Sequence, residues 1–190
     1  MIATISPERR GRALEFGIYR DGDNNLDDIQ RLVLNQAARV SGAHASIEFT
    51  VQDTSLVDDE YGHATFNYRL DGGQIRDFKS SSMHDMSSRA NLARFVAETL
   101  DNAEESGAKE TWVDLVDHGA GDGGGLEADH AGDGQITSSG RHVGIMREDD
   151  IAGAIADGVA LHAAAHPEDT GRRIDGVVAN QCLMATLGFS

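Results

Sequence analysis

Strand-like and helix-like segments alternate along the chain, and this alternation is what most limits the folds open to it. Residues 14–19 show a period-two pattern that predicts a strand, and apolar residues at helical spacing follow from Leu26 to Val40. Further strands are predicted at residues 45–53, 111–116 and 174–179, and further helices at 92–103 and 148–162. Strands that alternate with helices form a parallel sheet covered on both faces. The chain is therefore predicted to be an α/β protein with a mostly parallel sheet.

Two segments fall outside this alternation. Residues 64–70 and 74–79 flank Asp71-Gly72-Gly73, which is typical of a β-hairpin. We expect this hairpin to be peripheral to the parallel strands. The second segment, from residue 117 to about residue 144, is rich in glycine and aspartate and is predicted to be a loop.

Length and charge limit the domain count and the partners. With 190 residues, 39% of them apolar, the chain is expected to form one domain, 1–190. The 32 acidic and 16 basic residues give a net charge of −16, which disfavours nucleic acid and anionic membranes as partners. The acidity would attract a cationic substrate, but it also serves solubility alone. The first ten residues lack the apolar core of a signal peptide, so a cytoplasmic location is expected.

The residues that can carry chemistry follow the third and fourth core strands. In parallel sheets, ligands and catalytic groups gather at the carboxyl ends of the strands, where His118 and Cys182 are expected. Cys182 is the only cysteine, so it is either an apolar core residue, a stray thiol or a nucleophile activated by the imidazole. The N–H groups of Gly119 and Cys182 are candidates for an oxyanion hole. The remaining histidines are predicted to be solvated: His44, His63, His84, His130, His142, His162 and His166.

Three short motifs resemble, in the same order, the signatures of the clostripain family of cysteine peptidases. They are Asp23-Asn24-Asn25-Leu26, Asp117-His118-Gly119-Ala120-Gly121 and Asn180-Gln181-Cys182-Leu183-Met184-Ala185. The resemblance implies a three-layer caspase-like sandwich, incomplete after the fourth core strand. It also implies peptide-bond hydrolysis through an acyl-enzyme on a peptide or protein substrate. Cys182 would be the nucleophile, His118 the general base or ion-pair partner, and Gly119 part of the oxyanion site.

The residue that would face the substrate side chain departs from the family pattern. Family members typically cleave after Arg or Lys and place an acidic residue two positions before the cysteine, where this chain has Asn180. An amide lacks the charge that offsets the desolvation of a guanidinium. Asp21, Asp23 or an acid from residues 119–135 would have to supply it. A preference for neutral side chains is equally open, as is an inactive homologue acting as an acidic protein-binding domain.

The resemblance also bears on calcium and on processing. Some family members use calcium, which leaves it open as a cofactor, but residues 21–25 and 129–140 do not complete an EF-hand. Arg141 and Arg147 precede the third helix and are candidate self-processing sites. A nucleotide-binding alternative is weak because the glycine run at 119–125 is not followed by the lysine of a phosphate-binding loop.

The resembled fold has further strands after the cysteine, and the sequence contains only eight residues beyond Cys182. An unfinished sheet edge invites pairing with another strand. We expect a missing C-terminal segment, or a second chain, to complete the sheet. A gene fragment is the favoured explanation over a split enzyme or a reduced domain that dimerises.

Overall fold

The computed structural model describes residues 11–22, 27–56, 63–82, 85–117, 126–127, 145–169 and 171–181. The strands are β1 Leu14–Gly22, β2 Ile47–Leu56, β3 His63–Asp71, β4 Gln74–Ser82, β5 Glu110–Asp117, β6 Leu126–Glu127, β7 Ile145–Met146 and β8 Gly176–Gln181. The helices are α1 Asp27–Ala43, α2 Arg89–Ser106 and α3 Glu148–Ala165. None of these helices combines the length and the apolarity needed to cross a membrane.

Six strands form one sheet in the order β4-β3-β2-β1-β5-β8. Strands β2, β1, β5 and β8 are parallel, whereas β3 and β4 are antiparallel to their neighbours. Successive side chains of a strand point to opposite faces, so Ile18 packs in the core beneath α1 and Tyr19 in the core beneath α2 and α3. The predicted three-layer α/β architecture with a mostly parallel sheet is confirmed.

Helices α2 and α3 pack tightly on each other and on one face of the sheet. The apolar residues predicted to face the core, among them Leu92, Phe95 and Leu100, are buried, and α2 ends at Gly107, which has a left-handed backbone conformation (φ 66°). At Gly158 of α3 the two helix backbones approach so closely that a Cβ atom would lie 2.6 Å from the carbonyl oxygen of Ala93. This contact sets how closely α3 packs against α2.

Of the two segments outside the alternation, one agrees with the sequence-based expectation and the other differs from it. The hairpin is peripheral to the parallel strands, as predicted, because β3 pairs with β2 from Phe49↔Leu70 to Leu56↔His63 and β4 forms that edge of the sheet. The segment predicted to be a loop contains one short strand, β6, which pairs with β7 just after the segment. Leu126 of β6 is fully buried, and this single apolar anchor is too short to give a periodic pattern.

Candidate active site

The candidate site lies where β5 and β8 end side by side. The two strands are parallel neighbours, and their pairing runs from Trp112↔Gly176 to Asp117↔Gln181. His118 and Cys182 are the next residues along the chain after that last pair. Both lie outside the described residues, as do Gly119, Asp23 and Arg141. The described residues of β5 and β8, two adjacent strands, therefore each end one residue before a member of the predicted dyad.

Asn180 belongs to the described part of this edge and has an unexpected partner. It is exposed on β8 opposite Val116, and both its side-chain amide and its backbone N–H donate hydrogen bonds to the carboxyl group of Asp114. Asp114 lies two residues before Val116 in β5, so its side chain is on the same face of the sheet as that of Asn180. The residue that departs from the family pattern thus contacts an acidic side chain after all.

Asp114 is a buried carboxyl group between apolar neighbours. It is 5% exposed, and its register partners on the two adjoining strands are Ile18 and Val178. Burial raises the pKa of Asp114 to about 6, and the hydrogen bonds from Asn180 lower it in part. Its Oδ1 atom has no hydrogen-bond partner among the described residues. Above this pKa, the site holds a negative charge directly behind the Asn180 amide.

The other acids considered for this role divide between the described and undescribed residues. Asp21 is 2% exposed at the end of β1, the strand that borders β5 on the side away from β8. Its neighbour Arg20 is fully buried and forms an ion pair with Asp53 of β2. The carboxyl-terminal end of the sheet therefore holds buried charged side chains on three adjoining strands, β2, β1 and β5. Asp23 is not among the described residues.

Arg147 is the candidate processing site that the structure describes. It is exposed and has an extended backbone conformation (φ −76°, ψ 161°) immediately before α3 begins at Glu148. Its carbonyl oxygen accepts a hydrogen bond from the backbone N–H of Ile151, so cleavage after Arg147 requires the first turn of α3 to open.

Two residues of chemical interest escape prediction from the sequence. In the sequence, Asp114 is recognisable only as part of the predicted strand 111–116. His162 is predicted to be solvated, and this prediction is wrong: it is 2% exposed, and its Nδ1 lies 2.6 Å from Oδ1 of Asp101. His166 is half-buried beside it. The helical spacing of His162 and His166 was the available signal, because residues four apart share one face of a helix.

Neither protein-family models nor curated proteins match the sequence. Among solved structures, the fold is similar to a secreted C11 cysteine protease from Bacteroides thetaiotaomicron in complex with an irreversible peptide inhibitor. The TM-score is 0.52 and the identity 15%, over 90% of this chain and 43% of that one. A second structure of a secreted C11 protease from this organism, "iotapain", gives a TM-score of 0.51 and 10% identity over 90% and 47% of the two chains.

These matches confirm the resemblance to the clostripain family, which is the C11 family, at the level of the fold. The chain spans less than half the length of either structure. Its six-stranded sheet flanked by helices is the caspase-like fold of the C11 cysteine proteases.

Proposed function

We propose that the chain supplies the catalytic strands of a cysteine endopeptidase, with Cys182 as nucleophile and His118 as general base. The observation that carries this proposal is the β5·β8 register. It pairs Asp117 with Gln181, so the two reactive residues each follow one member of a pair on adjacent parallel strands. Neighbouring strands lie about 4.8 Å apart, a separation that a cysteine and a histidine side chain can span. The caspase-like fold supports the same assignment.

The proposed reaction proceeds through an acyl-enzyme. His118 takes the thiol proton, the thiolate of Cys182 attacks the scissile carbonyl carbon, and the backbone N–H of Gly119 donates to the resulting oxyanion. The C–N bond then breaks, and the leaving amine receives the proton from His118. Water, deprotonated by His118, cleaves the thioester and restores the free thiol.

We further propose that the enzyme cleaves after basic residues and that Asn180 and Asp114 act together in this preference. Asn180 would contact the substrate side chain, and Asp114 would be a positioning residue acting through it. Because the Asn180 amide group donates to Asp114, its carbonyl oxygen is free to accept a hydrogen bond from a guanidinium or ammonium group. The carboxylate behind it supplies the charge that an amide lacks. Asp23 is the alternative source of charge.

The open side of β8 supports a further strand in the complete enzyme. In the described part of the sheet β8 is an edge strand, and Val177 and Val178 are 46% and 37% exposed on its two faces. Exposed valines on an unpaired strand favour β-addition. We propose that a C-terminal segment or a second chain pairs there, and that processing at Arg147 or Arg141 accompanies activation.

The test is peptide hydrolysis by the full-length protein. Matched fluorogenic peptides with Arg, Lys or neutral residues before the scissile bond are assayed with the wild type, Cys182→Ala and His118→Ala. We expect cleavage to fall at least about a thousandfold in both variants, because neither the nucleophile nor its base can be replaced by solvent. His44→Ala, which changes an exposed histidine outside the site, should retain wild-type activity.

The thiol offers a second measurement that does not depend on turnover. An electrophilic peptide probe bearing Arg should label Cys182, the only cysteine, much faster than the same electrophile without a peptide. Equal rates for both reagents, together with no hydrolysis of any peptide by folded protein with calcium supplied, would contradict the proposal. That result would favour the acidic binding domain.

A further inference from the structure

Two histidines and two carboxylates lie close together where α2 and α3 end. This is the end of the sheet at which the parallel strands begin, opposite the end that holds the candidate active site. His162 and His166 lie four residues apart in the last turn of α3 and just after it. Asp101 and Glu104 lie three residues apart near the end of α2. Both spacings place the paired side chains on one face of a helix. The cluster is close to the amino-terminal starts of β5 and β8, because α2 is the element before β5 and α3 is the element before β8.

Three atoms of this cluster, one from each of three side chains, lie close together. Oδ1 of Asp101 lies 2.6 Å from Nδ1 of His162 and 3.3 Å from Nε2 of His166. All three atoms lie within 4.8 Å of one another. Ligand atoms about 2.0–2.2 Å from a tetrahedral metal ion are about 3.3–3.5 Å apart. The two imidazole rings are stacked, with centroids 4.8 Å apart and planes 21° apart. An ion therefore binds in the plane of both rings only after the His166 ring, which is 31% exposed, turns and Asp101, which is 46% exposed, moves back.

The second nitrogen of each ring also has the partner that a metal site requires. Nε2 of His162 lies 3.3 Å from Oδ2 of Asp169, and Nδ1 of His166 lies 2.9 Å from Oε2 of Glu104. Histidines that bind a metal through one nitrogen usually donate the other N–H to a carboxylate, which fixes the tautomer and the ring orientation. Here both rings have this arrangement at once.

From this geometry we infer that Asp101, His162 and His166 bind one divalent transition-metal ion of the Zn²⁺ type, with Asp169 and Glu104 as outer-shell partners. Two imidazoles and one carboxylate suit Zn²⁺ and Co²⁺, whereas Ca²⁺ takes six to eight oxygen ligands. Three protein ligands on a partly exposed site leave a fourth position for water.

The bound ion would join α2 to α3. It would lie at the end of the sheet where β5 and β8 begin, away from the end that precedes the proposed dyad, and so it would stabilise the fold and take no part in peptide hydrolysis. The inference is independent of the proposed peptidase activity, because it uses none of the same residues. The competing interpretation is a network of hydrogen bonds and ion pairs between the imidazoles and the carboxylates, which needs no metal.

The experiment titrates the full-length, metal-free protein with Zn²⁺ and, in parallel, with Co²⁺. We expect one equivalent to bind, with visible Co²⁺ absorption of a four-coordinate site. At a free Zn²⁺ concentration of about 100 Kd, the Tm should rise by about 5–10 °C. The variants are His166→Ala and Asp101→Asn, chosen because both side chains are partly exposed and the fold tolerates such changes better than a change at His162.

Each variant should weaken Zn²⁺ binding at least about tenfold and abolish the Co²⁺ absorption. His44→Ala is the matched control, since it removes an exposed histidine elsewhere, and it should bind like the wild type. Wild-type protein that shows no stoichiometric binding, or variants that bind as tightly as the wild type, would overturn the inference and leave the network of hydrogen bonds and ion pairs as the explanation.

Discussion

Replacing Asp114 by asparagine removes a buried charge while keeping the shape of the side chain and one acceptor for Asn180. The pKa of Asp114 is raised from 3.8 to about 6, first by burial, with the Asn180 hydrogen bonds acting in the opposite direction. A carboxyl group with a raised pKa binds its proton more tightly in the folded state. The free energy of unfolding therefore falls as the pH rises from about 4 to about 6, and it stays lower above that range.

The magnitude follows from the two pKa values. Each pH unit between them removes about 1.4 kcal/mol, so the ionised carboxylate costs about 3 kcal/mol of stability at pH 7 and above. Asp114→Asn resembles the protonated form at every pH. We expect the variant to gain about 3 kcal/mol relative to the wild type between pH 4 and pH 8.

The same substitution tests the specificity proposal. If Asp114 supplies the charge behind Asn180, the ratio of kcat/KM for an Arg peptide over its neutral citrulline counterpart should fall about tenfold or more in the variant, which corresponds to about 1.4 kcal/mol. The double variant Asp114→Asn, Asn180→Asp should recover the preference, because it returns a carboxylate to this position. A stability gain without a change in this ratio would assign Asp114 a structural role only.

Urea unfolding at half-unit steps from pH 4 to pH 8 measures the stability effect. Asp149→Asn is the control, since this aspartate is exposed on the first turn of α3. Its unfolding free energy should not rise above that of the wild type, because the lost carboxylate interacts favourably with the amino terminus of α3. A difference between Asp114→Asn and the wild type that stays constant from pH 4 to pH 8 would refute the linkage reasoning.

Two further predictions concern stability. Glu15 is fully buried, and desolvation raises its pKa to about 8. Glu15→Gln should therefore gain stability relative to the wild type by up to about 5 kcal/mol between pH 4.5 and pH 8. Equal pH profiles of the two proteins in urea unfolding would contradict this. Gly158→Ala should lower stability by about 1–3 kcal/mol, because the new Cβ meets the Ala93 backbone at 2.6 Å. Gly153→Ala meets only the guanidinium end of Arg89, a partly exposed side chain that pairs with Asp157, and should be neutral or slightly stabilising; urea unfolding measures both glycine variants.

The parts of the fold that the sequence predicted are those determined by local periodicity. The spacing of Leu92, Phe95 and Leu100 placed α2, and Gly107 marked its end correctly. The last core strand was predicted two residues too early. It begins at Gly176 although the backbone N–H of Asp175 already donates to the carbonyl oxygen of Thr111, because the Thr111 N–H donates to the Asp175 carboxylate and not to a backbone carbonyl of β8.

The features that escaped prediction depend on partners that are distant in sequence. Asp114 in a strand pattern gives no indication that it will be buried against Asn180, because that contact exists only once β8 lies beside β5. The sequence predicts that His162 lies on the solvent-exposed side of α3. Its burial depends on its contact with Asp101 of α2, a residue 61 positions away. The dyad residues His118 and Cys182 remain predictions that the proposed assays test.

The way α3 and β8 are held predicts that the fold tolerates a break in the backbone before α3. α3 packs on α2 through the Gly158 contact, and β8 is hydrogen-bonded to β5 over six residues, so both elements are attached to the rest of the molecule without the preceding peptide link. A nick at Arg147 would produce two polypeptides that migrate separately in denaturing gels yet elute together as one particle. Proteolysis would therefore change the connectivity of the chain while leaving its strand order intact.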